Sequence, residues 1–269
     1  MQRSSICTIR MDRHPIRVTR PLPRTPGTTS FYMSLEPTRP QPGSTQPRER
    51  PFMNRPNESH LETLGKIAET KRIFTAIQTA TGRRESLCLV ITSGARGEGK
   101  TTVATGLAMA ASHPKRRKTL LVDYNWYAPA IHKTFDVELI ENPAAFYGAA
   151  SIDELIVPTH LGIDILPAAR MTDDSQGALS NVEGYDHRLI QEAKHRYDTI
   201  IVDTSATFPE NQNMRDPVLL SSIADGVVLV FMTNRTPRST LKRTTTAMRI
   251  NGAKIIGVVA NQWKNPILY

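Results

Sequence analysis

Gly94-Ala95-Arg96-Gly97-Glu98-Gly99-Lys100-Thr101-Thr102 decides how the rest of this chain is read. It satisfies the spacing Gly-x-x-x-x-Gly-Lys-[Ser/Thr] of a phosphate-cradling loop. The residues ahead of it, Ser86-Leu87-Cys88-Leu89-Val90-Ile91-Thr92, are an apolar run with strand character, and those behind it, Thr102 to Ala111, read as a helix. Strand, glycine loop and helix in that order are the context such a loop requires. Glycines let backbone N–H groups converge on phosphate oxygens, and a helix N-terminus adds partial positive charge. Gly94, Gly97, Glu98, Gly99, Lys100, Thr101 and Thr102 are therefore the expected nucleotide-binding set. Lys100 would reach the β- and γ-phosphates and the Thr101 hydroxyl would ligate Mg²⁺. The competing reading, a glycine turn that happens to precede a lysine, leaves the flanking strand and helix unexplained.

Outward from the loop, apolar runs alternate with helical patterns. A helix is expected over 58–81, where Leu61, Leu64, Ile67, Ala68, Ile73, Ala76 and Ile77 recur at helical spacing before Gly82. Beyond the loop helix come strands at Thr119–Asp123, Gly162–Pro167, Thr199–Asp203, 226–232 and 253–260, and helices at His187–Arg196, 216–223 and 238–250. The stretch 125–160 is less regular, with a helical turn or two at Ile152–Ile156. The strands are unbroken Val/Ile/Leu runs, not alternations, as in a parallel sheet covered on both faces. The expected fold is α/β, a mostly parallel sheet flanked by helices. Ligands of such sheets sit at the carboxyl ends of the strands. The loop, Asp123 and Asp203 are all expected there.

Asp203 follows Ile200-Ile201-Val202, so it suits a magnesium-holding acid, acting through water. Asp123 follows Leu120-Leu121-Val122 in the same way. It could bind the metal or take a proton from an attacking hydroxyl, or it could simply cap a helix or a loop. Asn261 ends the last strand, where its amide could pair with an adenine edge or serve a turn. Trp126 and Tyr127 could shield the site or merely pack. The histidines and the basic turn Lys115–Lys118 show no ligand spacing.

Composition bounds the rest. The net charge is +9, but residues 1–57 hold ten Arg, no Lys, three acids and ten of the nineteen prolines. Such a segment cannot bury enough apolar surface to offset ordering entropy. The expected division is a disordered basic arm, 1–57, and a nucleotide-binding domain, 58–269. The arm could meet anionic lipid or nucleic acid, or be a leader with no role of its own. No apolar run approaches the ~18 residues that cross a bilayer. Two cysteines, Cys7 and Cys88, form no disulfide framework and no metal spacing. A cytoplasmic location is expected.

Thr92-Ser93 with Gly97-Glu98-Gly99-Lys100-Thr101-Thr102 resembles the bacterial tyrosine kinases of capsule and exopolysaccharide biosynthesis, relatives of the Min and Par positioning ATPases. The Min and Par branch usually carries a lysine where this chain has Ala95. The resemblance extends through Leu120–Asp123, Pro129–Lys133, Tyr197–Thr204, Asp216, Ala224-Asp225-Gly226 and Gly257–Asn261. It implies ATP and Mg²⁺ as cofactors and Lys100, Thr101, Asp123 and Asp203 in the roles given above. It also implies Asn261 against adenine and a membrane-embedded polysaccharide copolymerase or chain-length regulator as partner, hence a place at the inner face of the plasma membrane. Homo-oligomerisation is left open: Glu69 and Arg72 match the first two positions of the family's ring-forming helix, whereas Thr75 replaces its second arginine. The family's Asp-x-Asp-x-Arg is here Asp123-Tyr124-Asn125-Trp126-Tyr127, and Asn125 cannot accept a proton. In place of a tyrosine-rich tail there is Tyr269, eight residues after Asn261. Phosphoryl transfer to tyrosine is thus expected to be weakened. The alternatives are a kinase-inactive nucleotide switch and a Min/Par-like positioning ATPase.

Overall fold

The computed structural model describes residues 68–82, 84–113, 117–171, 182–208 and 216–262, together with the two short segments 16–17 and 34–35. Ile16–Arg17 pairs antiparallel with Ser34–Leu35. The rest of the expected basic arm, and residues 58–67 of the expected first helix, lie outside the described residues.

Seven strands form the main sheet among the described residues. They are β1 (Leu87–Ser93), β2 (Thr119–Asp123), β3 (Val157–Pro158), β4 (Ile163–Leu166), β5 (Thr199–Ala206), β6 (Gly226–Thr233) and β7 (Ile255–Gln262). Their order is β3-β4-β2-β5-β1-β6-β7, parallel throughout except for β3 against β4. The strand ahead of the glycine loop is therefore the inner strand β1, between β5 and β6. The helices are α1 (Ala68–Thr81), α2 (Lys100–Ser112), α3 (Ile131–Phe135), α4 (Pro143–Gly148), α5 (Val182–Arg196), α6 (Pro217–Ile223) and α7 (Arg238–Ile250), with a 3₁₀ turn at Ile152–Glu154. Among the described residues no helix is long and apolar enough to cross a membrane.

Every residue of β1, β2 and β5 is buried, because both faces of the sheet are covered. Successive strand side chains point to opposite faces. Leu89 and Ile91 of β1 face a core with Ile73 and Phe74 of α1 and Val103 and Leu107 of α2. Cys88 and Val90 face the other core, with Leu189 and Ile190 of α5, Leu220 of α6 and Met248 of α7. This double covering is the physical reason for the unbroken apolar runs in the sequence. α2 is small-residue-rich and buried from Val103 to Ser112, as befits a helix enclosed on all sides. α1 ends where Gly82 takes φ 74°. α6 starts on Asp216, whose carboxylate accepts the Val218 N–H, with a proline in its first turn.

One boundary differs in a way that matters. β5 runs on to Ala206 and does not stop at Asp203. The Thr204 hydroxyl donates to the Ile91 carbonyl, and the Thr207 N–H donates to the Ser93 carbonyl, so pairing with β1 outlasts the apolar run. Asp203 thus sits inside a strand, on rigid backbone. The last strand likewise reaches Gln262 and takes Asn261 within it.

Candidate functional site

The glycine loop leaves β1 at Ser93 and enters α2 at Lys100, as its spacing requires. Gly99 stands at the helix N-cap with φ 88° and ψ 23°, a left-handed conformation that glycine adopts without strain. A Cβ there would also overlap the amide nitrogen of Asn261. At the other end of the loop, a Cβ on Gly94 would meet Thr240 Cγ2 at 2.6 Å and Thr244 Oγ1 at 2.7 Å, both on α7. Between these fixed ends Ala95, Arg96 and Gly97 are exposed.

Glu98 is buried and holds the loop in shape. One carboxylate oxygen accepts the Ala95 N–H at 2.9 Å, and the other accepts the hydroxyl of Thr236. The Glu98 carbonyl accepts the side-chain amide of Asn261 at 3.0 Å. The amide nitrogen of Asn261 is therefore spent on the loop backbone, a use that residue type and position did not suggest. Lys100 lies along the loop, its ammonium donating to Ser93 Oγ at 3.0 Å. Burial lowers its pKa, against the attraction of Asp203 and Glu98.

Asp123 and Asp203 are register partners on the adjacent strands β2 and β5, and both are buried. Asp203 Oδ2 accepts the Thr101 hydroxyl at 2.6 Å, while its Oδ1 is buried without a hydrogen-bond partner. A carboxylate oxygen is left so only at considerable cost unless a cation or proton meets it. Burial, reinforced by the neighbouring Asp123, pushes the Asp203 carboxyl up to about 8. Asp123 is more fully engaged: Oδ1 accepts the Asn125 N–H, and Oδ2 accepts the N–H groups of Ala130 and Ile131. Burial still outweighs those donors and raises its pKa to about 6. Asp123 thus performs the loop- and helix-capping work that its position allows. The orphaned Asp203 oxygen beside the Thr101 hydroxyl fits a divalent cation. Mg²⁺ is commonly held by one or two carboxylates plus substrate phosphates. Among the described residues there is no group of three or more His, Cys, Asp or Glu that could hold a metal.

The fold gathers the loop, Asp123, Asp203 and Asn261 at one end of the sheet. Thr102, in the first turn of α2, is exposed. Asn125, standing where the resembled family has a second acid, donates its amide to the Ala128 carbonyl at 3.0 Å. Trp126 packs inside an aromatic cluster with Tyr124, Phe146 and Tyr147, whereas Tyr127 is exposed. Asp225 proves architectural: its carboxylate accepts the Cys88 N–H and pairs with Arg84 and Lys194. Thr236 is the residue that sequence reading missed. It lies 138 positions from Glu98, and no local motif signals the contact.

A model of the CobQ/CobB/MinD/ParA nucleotide-binding domain matches residues 89–268. The tyrosine-protein kinase CpsD of Streptococcus agalactiae is 28% identical over 204 residues, covering 74% of this chain and 86% of that protein. The succinoglycan biosynthesis transport protein ExoP of Rhizobium meliloti is 25% identical over 190 residues, 66% of this chain but only 22% of that protein. The kinase domain of the Escherichia coli tyrosine kinase ETK superposes with a TM-score of 0.67 at 18% identity, covering 84% of this chain and 88% of that one. At that identity the likeness concerns the fold.

Proposed function

From the premise that this chain belongs to the CobQ/CobB/MinD/ParA nucleotide-binding domain family, we propose that it is an MgATP-dependent protein-tyrosine kinase that regulates exopolysaccharide or capsule synthesis and export. The observation that carries the chemistry is the orphaned Oδ1 of Asp203 beside the Thr101 hydroxyl, at the foot of a glycine loop whose lysine points along it. The kinase reading draws on the likeness to CpsD, and the polysaccharide reading on the likeness to ExoP.

In this reading Gly94, Gly97, Glu98, Gly99 and Thr102 shape the cradle, and Lys100 exchanges its Ser93 contact for the β- and γ-phosphates. Thr101 and Asp203 would hold Mg²⁺, which would supply neutralisation of the charge on the transferred phosphoryl group. Asp123, held by three backbone donors, orients the β2–α3 loop and takes the proton of the attacking phenol. Asn261 keeps the base-side end of the loop in register. A membrane-embedded copolymerase is the proposed partner, and it would hold the protein at the membrane surface.

Incubation of the full chain with labelled ATP and Mg²⁺, alone and with a Glu/Tyr copolymer, tests this. Phosphotyrosine that vanishes in Lys100→Met and Asp203→Asn is the expected result. ATP binding with no label on any tyrosine would instead establish the kinase-inactive switch, which Asn125 favours by supplying an amide where a second acid would stand.

A further inference from the structure

We propose that Tyr127 is a phosphoacceptor of this same site, an inference that rests on the kinase reading above. The described residues contain five tyrosines. Tyr124 is 1% exposed and donates its hydroxyl to Asp186. Tyr197 is buried and donates to Asp164. Tyr185 donates to the Phe146 carbonyl at 2.7 Å. Tyr147 is half-buried, its ring packed against those of Trp126, Phe146 and Tyr185. Tyr127 differs from all four: it is 45% exposed, and with Leu219 and Ile250 it makes up the exposed large hydrophobic side chains among the described residues. A phenol attacks phosphorus only if its oxygen can come in line with the leaving group, and of these five Tyr127 is the one whose side chain is exposed rather than buried or half-buried.

Its position strengthens the case. Tyr127 lies in the turn that closes where the Ala128 N–H donates to the Asn125 carbonyl. That turn is anchored at both ends to one carboxylate, since Asp123 accepts the Asn125 N–H before it and the Ala130 and Ile131 N–H groups after it. The acid read as the proton acceptor therefore carries Tyr127 on its own loop. Asn125 leaves the loop one negative charge poorer than an acid would, which lowers the cost of placing a phosphate there.

The step balances simply. Tyr127 Oη forms a bond to the γ-phosphorus of ATP, and the bond between that phosphorus and the β,γ-bridging oxygen breaks. The phenol proton passes to the Asp123 carboxylate and on to solvent. ADP leaves, and phosphotyrosine remains four positions from Asp123, where its charge opposes the next MgATP.

The test uses the full chain, Mg²⁺ and labelled ATP, with the label located by fragmenting the peptide Thr119–Lys133, which also contains Tyr124. Label on Tyr127 is expected. Tyr127→Phe should remove at least half of the autophosphorylation while leaving the melting temperature and the labelling of a Glu/Tyr copolymer unchanged. Label confined to Tyr32, Tyr269 or the copolymer, with none on Tyr127, would overturn the assignment and leave the kinase reading standing. No label on any tyrosine, copolymer included, would overturn both.

Discussion

Asp123 and Asp203 face each other across adjacent parallel strands, one fully hydrogen-bonded to backbone donors and the other with a buried oxygen that has no partner. The pair is an electrostatic strain that MgATP would relieve under the function proposed above, and it makes the nucleotide-free protein sensitive to pH. The Asp203 carboxyl is raised from 3.8 to about 8. Between those values the folded state binds more protons than the unfolded state, so stability falls as pH rises. Calorimetry without nucleotide should show the melting temperature dropping from about pH 4 to about pH 8 by several degrees. Asp203→Asn should flatten that slope, raise the melting temperature at the alkaline end and abolish Mg²⁺-dependent stabilisation by ATP. A wild-type slope that persists in the variant would refute the assignment.

Gly99→Ala should disable the loop. The residue must hold φ 88°, and its new Cβ would displace the Asn261 amide from the Glu98 carbonyl. Left-handed backbone alone costs an alanine ~1–2 kcal/mol. A fall of a few degrees in melting temperature, with ATP affinity reduced more than ~10-fold (~1.4 kcal/mol), is expected by thermal scanning and isothermal titration.

Thr236→Val removes the hydroxyl from Glu98 and leaves a buried carboxylate oxygen unpaired, a loss of ~1–3 kcal/mol. Nucleotide binding should weaken, and Thr236→Ser should restore it. Equal effects of Val and Ser on ATP affinity would argue for packing and against the hydroxyl.

Cys88 lies in β1 with 0% exposure, and burial pushes its thiol up to about 12. The thiolate is the reactive form, so the group should resist alkylation throughout the neutral and mildly alkaline range. In a Cys7→Ser protein, iodoacetamide should label nothing at about pH 8 until denaturant is added, as intact-mass measurement would register. Rapid labelling of the native protein would mean that β1 opens.

Local pattern made much of the molecule legible. Thr119–Asp123 and 238–250 are found where the apolar run and the helical period end. The loop is legible because its phosphate-binding geometry demands glycine, lysine and threonine at fixed spacing within nine residues, whatever surrounds them. Asp203 was recognisable by type, but the length of its strand was not: side-chain and backbone bonds from Thr204 and Thr207 to β1 extend β5 past the apolar run. The 125–160 region resisted reading because its helices are only 5, 6 and 3 residues long, too short to show a helical period, and lean on residues outside their own turns, such as Asp123 capping Ala130 and Ile131 and Glu192 accepting the Ile152 N–H.

The amino-acid order alone thus settles the chemistry on offer: a phosphate cradle, two acids after apolar runs, and a parallel sheet enclosed on both faces. Those features depend on spacings of a few residues, which backbone geometry converts directly into shape. The fold settles how the groups are committed. Asn261 and Thr236 brace the loop, Asp123 is spent on three N–H groups, Asp203 keeps one oxygen open, and Tyr127 alone of five described tyrosines stands well exposed. Each of these depends on which strand lies beside which, and strand order is a property of the whole chain's packing, carried by contacts up to 163 positions apart.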